Sequence, residues 1–378
     1  MIQAAYIHLP FCVHKCDFCD FAAFAGVQHV EREYCEILLE EIKQRLKQTQ
    51  AQIKLDSIFY GGGTPSVVTP ENMRFIHQGL LDLVECSNDA EISMESTPHS
   101  ITKEKCAFWR ELGINRISIG IESLSDGELR AIGRDHTVAQ AYEGIEIACQ
   151  ADFPVVSLDF MYCLPTQTLD SWQKTLDQFV ELASTMKQIR HVSAYGLELV
   201  GNSPLYSRFP KDSVAYPDDE TFNAMRDSLI ETLARAGFEQ YEVSNFARPG
   251  YACRHNMTYW RNAEYLAFGV GAHRYVDGVR SSNLKSLTRY IREPLSVDLF
   301  EPIDQATRQK EAIMLGFRML EGINLRDFKN EYGVDLFVQF EKPIKRMLEQ
   351  GMLKLENGHL SIPQKQLALS NSVIAEFM

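Results

Sequence analysis

Ser57-Ile58-Phe59-Tyr60-Gly61-Gly62-Gly63-Thr64-Pro65-Ser66-Val67-Val68-Thr69-Pro70 contains a whole structural unit in one stretch. The apolar, aromatic run Ser57–Tyr60 reads as a strand. The three glycines that follow allow a tight turn and leave bare backbone that a ligand could approach, with the Thr64 hydroxyl beside it. Thr69 and Pro70, ahead of Glu71 and Asn72, mark a helix start: an N-cap residue, then proline in the first turn. The same strand-then-helix order recurs on both sides. Strands are expected at Ala4–His8, Glu91–Glu95, Arg116–Gly120, Val155–Met161 and His191–Leu197. In the first helical run Tyr34, Ile37, Leu38, Ile42 and Leu46 recur at helical spacing, with the charges of Glu40, Glu41, Lys43 and Arg45 mostly on the other side. Further helices are expected at Lys103–Leu112, Val138–Ala151, Leu169–Leu182 and Asp218–Ala236.

Six such units demand parallel strands with right-handed crossovers. Near-continuous apolar strands such as Arg116-Ile117-Ser118-Ile119-Gly120-Ile121 agree with that. Eight units close a full barrel, so the expected class is α/β, a partial (β/α)6 TIM-like barrel over residues 1–240. Residues 241–302 read as a loop-rich connection carrying Arg248-Pro249-Gly250 and Gly269-Val270-Gly271. Residues 303–378 read as a winged-helix-like domain. Phe337, Phe340, Ile344 and Met347 trace one helix face there, and Asn357-Gly358 between two apolar runs signals a type I′ hairpin.

Composition sets bounds on function. Hydrophobic residues at 45% and charged residues at 24% exclude global disorder, a fibre and a membrane bundle. Lys plus Arg (38) against Asp plus Glu (51) gives a net charge of −13, which argues against a nucleic-acid partner. With no signal-peptide pattern at Met1–Tyr6 and no long apolar run, a cytoplasmic location is expected. Nine cysteines is an odd number, and Cys12, Cys16 and Cys19 crowd into one loop after the first strand. That suits a metal site better than a disulfide framework. Three soft ligands fit an iron–sulfur cluster or zinc; zinc would want a fourth ligand, and only His14 is near in sequence. A cubane cluster on three cysteines leaves one iron open.

Cysteines at these gaps, after strand one of a partial barrel, resemble the radical S-adenosylmethionine superfamily. In that superfamily the open iron chelates the amino and carboxylate groups of S-adenosylmethionine. Tyr6-Ile7-His8-Leu9-Pro10-Phe11-Cys12, Gly61-Gly62-Gly63-Thr64-Pro65-Ser66, Gly133-Arg134-Asp135-His136 and Leu164-Pro165-Thr166-Gln167-Thr168 are similar to words of the oxygen-independent coproporphyrinogen III oxidase family, which includes heme chaperones. The oxidases carry a fourth cysteine two positions after the third, where this chain has Phe21. They also extend further before the first strand. Those two departures, His255-Asn256-Met257-Thr258-Tyr259-Trp260 and most of Tyr241–Gly250 resemble the chaperone branch.

Glu95 ends the third strand, Glu122 follows the fourth and Asp159 lies in the fifth, so all three would point acceptors at one face. The resemblance implies that they meet the amino or ribose hydroxyl groups of S-adenosylmethionine, that Arg134 pairs with its carboxylate, and that Tyr6, Phe18, Gly62, Gly63 and Thr64 complete the site. Glu122 stands where glutamine is usual; it can accept from hydroxyls but cannot donate. Cys163 stands where glycine is usual. For heme, His255 is the first candidate ligand, with Tyr259 and Trp260 able to stack on a macrocycle; His273 is second and Cys253 third.

The resemblance thus implies a heme chaperone with a [4Fe-4S] cluster, S-adenosylmethionine and heme, delivering heme to an acceptor hemoprotein that could lie at the membrane. A homodimer is left open. The enzymatic alternative is radical conversion of coproporphyrinogen III to protoporphyrinogen IX. A zinc-binding, DNA-associated winged-helix protein is disfavoured by the charge balance.

Overall fold

The computed structural model describes residues 1–199, 201 and 203–378. Six strands, β1 (Ile2–Leu9), β2 (Ile53–Gly62), β3 (Glu85–Ser96), β4 (Arg116–Glu122), β5 (Val155–Tyr162) and β6 (Ile189–Gly196), run parallel in that spatial order. The main crossover helices are α1 (Glu31–Gln48), α2 (Pro70–Leu81), α3 (Lys103–Glu111), α4 (Val138–Gln150) and α5 (Leu169–Thr185). The elements with expected bounds lie within four residues of them, except that β3 starts six residues earlier, at Glu85.

The segment after residue 240 is not the loop-rich connection expected. Asn245–Ala247 adds an antiparallel strand to β6, and Leu266–Phe268 adds a seventh parallel strand beside β1. Between them lies the short helix Arg254–Trp260. His273–Val276, Val279–Asn283 and Val297–Pro302 then form an antiparallel sheet. Both edges of the main sheet are therefore extended, which satisfies backbone groups that an open sheet would expose.

The strands are not uniformly apolar. Ile117, Ile119, Val156, Leu158, Ile58 and Tyr60 belong to the core that includes the helices. The alternate positions form a polar interior: Ser157 Oγ bonds His191 Nδ1 at 2.8 Å, and Ser118 Oγ donates to Asp159 at 2.7 Å. Most buried polar groups in folded proteins are partnered, and these side chains form a hydrogen-bonded network in the lumen.

Glu41 is another departure. The helical pattern puts it with the exposed charges of α1, yet it is fully buried. Its carboxylate accepts from Arg45 Nε (2.6 Å), the Gly269 amide (2.9 Å), Asn283 Nδ2 (2.6 Å) and Tyr290 OH (2.7 Å). It therefore ties the segment around residues 269–290 to the barrel. A glycine is needed at 269, whose φ is +104° and where a Cβ would lie 2.6 Å from both His8 O and Tyr34 OH.

In the C-terminal region the expected hairpin is present: Lys354–Glu356 pairs with His359–Ser361, and Asn357 and Gly358 have φ values of 51° and 80°. Ile323–Asn324 supplies its third strand. The single helix face through Phe337 and Met347 is instead two helices, Leu336–Gln339 and Glu341–Glu349. Pro343 has no N–H to donate to Gln339, which removes the bond that would join them. Among the described residues no helix is long and apolar enough to cross a membrane.

Replacing Glu41 by Ala strands an arginine and three other donors, and is expected to cost about 3–5 kcal/mol in chemical denaturation. A loss below about 1 kcal/mol would show that the network is dispensable.

Candidate functional site

The cysteine loop is fixed by backbone. The Gly63 amide donates to Leu9 O at 2.9 Å and the Thr64 amide to Phe11 O at 2.8 Å, binding the turn after β2 to the start of the loop. A Cβ on Gly63 would lie 2.7 Å from Phe11 O, and one on Gly62 2.7 Å from the His8 ring. The glycines are required first for this close packing, and the exposed backbone follows from it.

Cys12, Cys16 and Cys19 are all free thiols at the edge of a cavity of about 860 Å3 above the C-terminal ends of the strands. Thr64 Oγ1 lies 3.6 Å from Cys12 Sγ, and Arg134 Nη1 donates to Cys16 Sγ at 3.0 Å. Burial pushes the Cys12 thiol up to about 11 and raises Cys16 and Cys19, with Arg134 opposing the rise at Cys16. Metal ligation here must therefore displace protons.

The three sulfurs do not gather as ligands of one ion would. Among the described residues the potential ligand atoms that all lie within 4.8 Å of one another are those of His99, Asp135 and His136, so the three sulfurs are spread more widely. Zinc bonded to thiolates at about 2.3 Å would hold the sulfurs roughly 3.8 Å apart. Wider spacing suits a multi-iron cluster, and the thiols around an open cavity fit such a group.

Glu95, Glu122 and Asp159 line the same cavity, as do Phe18, Gly62, Gly63, Thr64 and Arg134. Glu122 sits at a bulge in β4 with φ of 64°, a left-handed turn of backbone that accompanies its place in the cavity wall. Arg134 Nη2 lies 3.3 Å from Glu122 and donates to Gly120 O at 2.5 Å, while its buried Nε has no partner among the described residues. Burial raises Glu95 and Glu122 to about 7 each; Asp159 adds to both, while the Gly62 amide opposes the rise at Glu95 and Arg134 opposes it at Glu122. An amino acid's ammonium and carboxylate would find acids and an arginine set close together here.

Tyr6 does not line this cavity. Its ring packs behind Gly61, its hydroxyl lies 3.2 Å from His8 Nδ1, and it borders a second cavity at the cysteine loop. Cys163 has φ of 60°, where glycine has no penalty, and its thiol points to Met225 in the core rather than into the cavity.

His255 is 1% exposed inside the barrel. Its Nδ1 meets Ser57 Oγ at 3.1 Å and its Nε2 meets Tyr259 OH at 2.7 Å, so neither nitrogen is free for an iron. Cys253 is equally buried and donates to Glu91. His273, by contrast, is exposed on the rim of the second cavity.

The C-terminal domain also reaches the site. Arg318, Gln364, Ser370 and Asn371 close part of the first cavity's mouth. No local sequence signal marks them, because they reach the cavity only through domain packing.

This fold and loop define a radical SAM protein. Residues 6–179 match the Radical SAM superfamily, and residues 303–369 match the HemN C-terminal domain. The heme chaperone HemW of Bacillus subtilis (strain 168) is 30% identical over 388 residues, covering 100% of this chain and 99% of that one. The Escherichia coli (strain K12) heme chaperone HemW is 33% identical, covering 84% and 82%. The chain belongs to the HemW family of the radical SAM superfamily. Among solved structures, E. coli coproporphyrinogen III oxidase (HemN) superposes with a TM-score of 0.85 at 19% identity, covering all of this chain and 90% of that one, a likeness of fold.

A cationic ligand group docking on these acids carries a pH signature. The free site holds protons near neutrality, and binding releases them, so S-adenosylmethionine is expected to bind more tightly as pH rises from about 6 to about 8. Glu95→Gln is expected to weaken it about tenfold and reduce that dependence. Equilibrium binding across that range checks both, and a pH-independent affinity in the unmodified protein would refute them.

Proposed function

We propose that this chain is a heme chaperone: it binds heme and passes it to an acceptor hemoprotein, using a scaffold that holds a [4Fe-4S] cluster and S-adenosylmethionine. The observation that carries the reading is full-length similarity to proteins named heme chaperone HemW, against a likeness of fold alone to the oxidase. Phe21 supports it, standing 63% exposed where the oxidases resembled by this sequence carry a cysteine.

Cys12, Cys16 and Cys19 would hold three irons of the cluster, and the fourth iron would take the amino acid moiety of S-adenosylmethionine. Bound together, these groups supply one-electron reduction chemistry. The chain's own part is to place Arg134 between the Cys16 sulfur and the cavity, where a carboxylate can pair with it. Glu95 and Asp159 offer acceptors to an ammonium or to hydroxyls, and the Gly62–Gly63 backbone lines the same cavity. We place the protein in the cytoplasm, in keeping with reduced thiols.

The test is paired. Anaerobically cluster-loaded protein is titrated with hemin and then mixed with an apo-hemoprotein, and separately incubated with coproporphyrinogen III, S-adenosylmethionine and a reductant. Heme binding and transfer without vinyl product is the expected result. Robust conversion to protoporphyrinogen IX would overturn the chaperone reading.

A further inference from the structure

The second cavity, of about 740 Å3, adjoins the first at the cysteine loop. Its volume falls within the about 300–1,000 Å3 usual for small-molecule and cofactor sites. Asp20 and Phe21 border both cavities, so the loop that carries the thiols is also the wall between them.

Its lining has a particular chemistry. Phe21, Phe24, Tyr259, Tyr265 and Tyr275 supply aromatic surface, and Tyr259 and Tyr265 meet edge to face at 4.6 Å. Such walls suit a flat conjugated ring. The Tyr275 hydroxyl is buried with no partner among the described residues. An orphaned buried hydroxyl is costly unless something supplies its hydrogen bond.

At the rim stand His273, Lys285 and Arg280. Arg280 is already held by Glu301 and Glu311. Among the described residues Lys285 has no ion-pair partner and the His273 ring has no hydrogen bond, so a cation and a nitrogen donor are both unengaged.

We propose that this second cavity is the heme site, with His273 as the iron ligand, the tyrosine-lined walls against the macrocycle, and Lys285 pairing with a propionate. The proposal rests on the heme-chaperone reading above and assigns its cargo a place. It also gives the His255–Trp260 word a different role. His255, fastened to Ser57, holds the Tyr259 hydroxyl at 2.7 Å, and Tyr259 forms part of the cavity wall. His255 is then a positioning residue and not a ligand.

Hemin titration of the cluster-loaded full chain tests this, with His273→Ala and Lys285→Glu, both at exposed positions. The unmodified chain is expected to shift the Soret band and saturate. His273→Ala should weaken binding about tenfold or more and move the Soret maximum. Lys285→Glu should weaken binding about threefold or more and leave the maximum in place. If the unmodified chain leaves hemin's spectrum unchanged, the chaperone reading fails and the site with it. If the unmodified chain binds hemin and His273→Ala matches it in band position and affinity, the site assignment alone fails.

Discussion

The contact between two stretches of backbone, Leu9–Phe11 and Gly63–Thr64, sets the position of everything chemical in this molecule. Two main-chain hydrogen bonds join them, and the approach is too close for any Cβ at residue 63. Because both stretches leave the ends of adjacent parallel strands, the sheet register dictates where the cysteine loop starts. A short loop so anchored has few ways to arrange three thiols, and the entropy of ordering the site is met by the fold rather than by the ligand.

Charge is the second organising element. Three carboxylates share a buried space with Arg134, and burial, reinforced by Asp159, holds the other two acids near neutrality. Arg134 reaches a sulfur, a carboxylate and a carbonyl at once, and so links the electrostatics of the thiols to those of the acids. A site of this kind responds strongly to a ligand carrying both signs of charge, because each sign relieves a different uncompensated group.

Much of this could be read from the sequence. The strand-and-helix alternation located six parallel strands, five of them to within four residues, since each unit signals locally through its apolar run, turn glycine or capping residue. The thiol loop stands out in the sequence as well, because Cys12, Cys16 and Cys19 lie so close together along the chain. What escaped were features assembled over distance. Leu266–Phe268 is too short to announce itself and becomes a strand only beside β1. Glu41 sits among charged neighbours, and only the fold reveals the amides and hydroxyls waiting for it. Tyr6 reads from sequence as an S-adenosylmethionine contact and His255 as a heme ligand, but the polar lumen engages both through His8, Ser57 and Tyr259. The second cavity draws its walls from the cysteine loop, the helix Arg254–Trp260 and the antiparallel sheet, which no single motif connects.

The most direct measurement is iron and acid-labile sulfide in anaerobically reconstituted protein, followed by electron spin resonance of the reduced protein with and without S-adenosylmethionine. The account predicts close to four of each per chain and a spectrum that changes when the nucleoside is added, with both lost in Cys12→Ser. Protein that takes up zinc alone, or a cluster whose signal ignores S-adenosylmethionine, would contradict it.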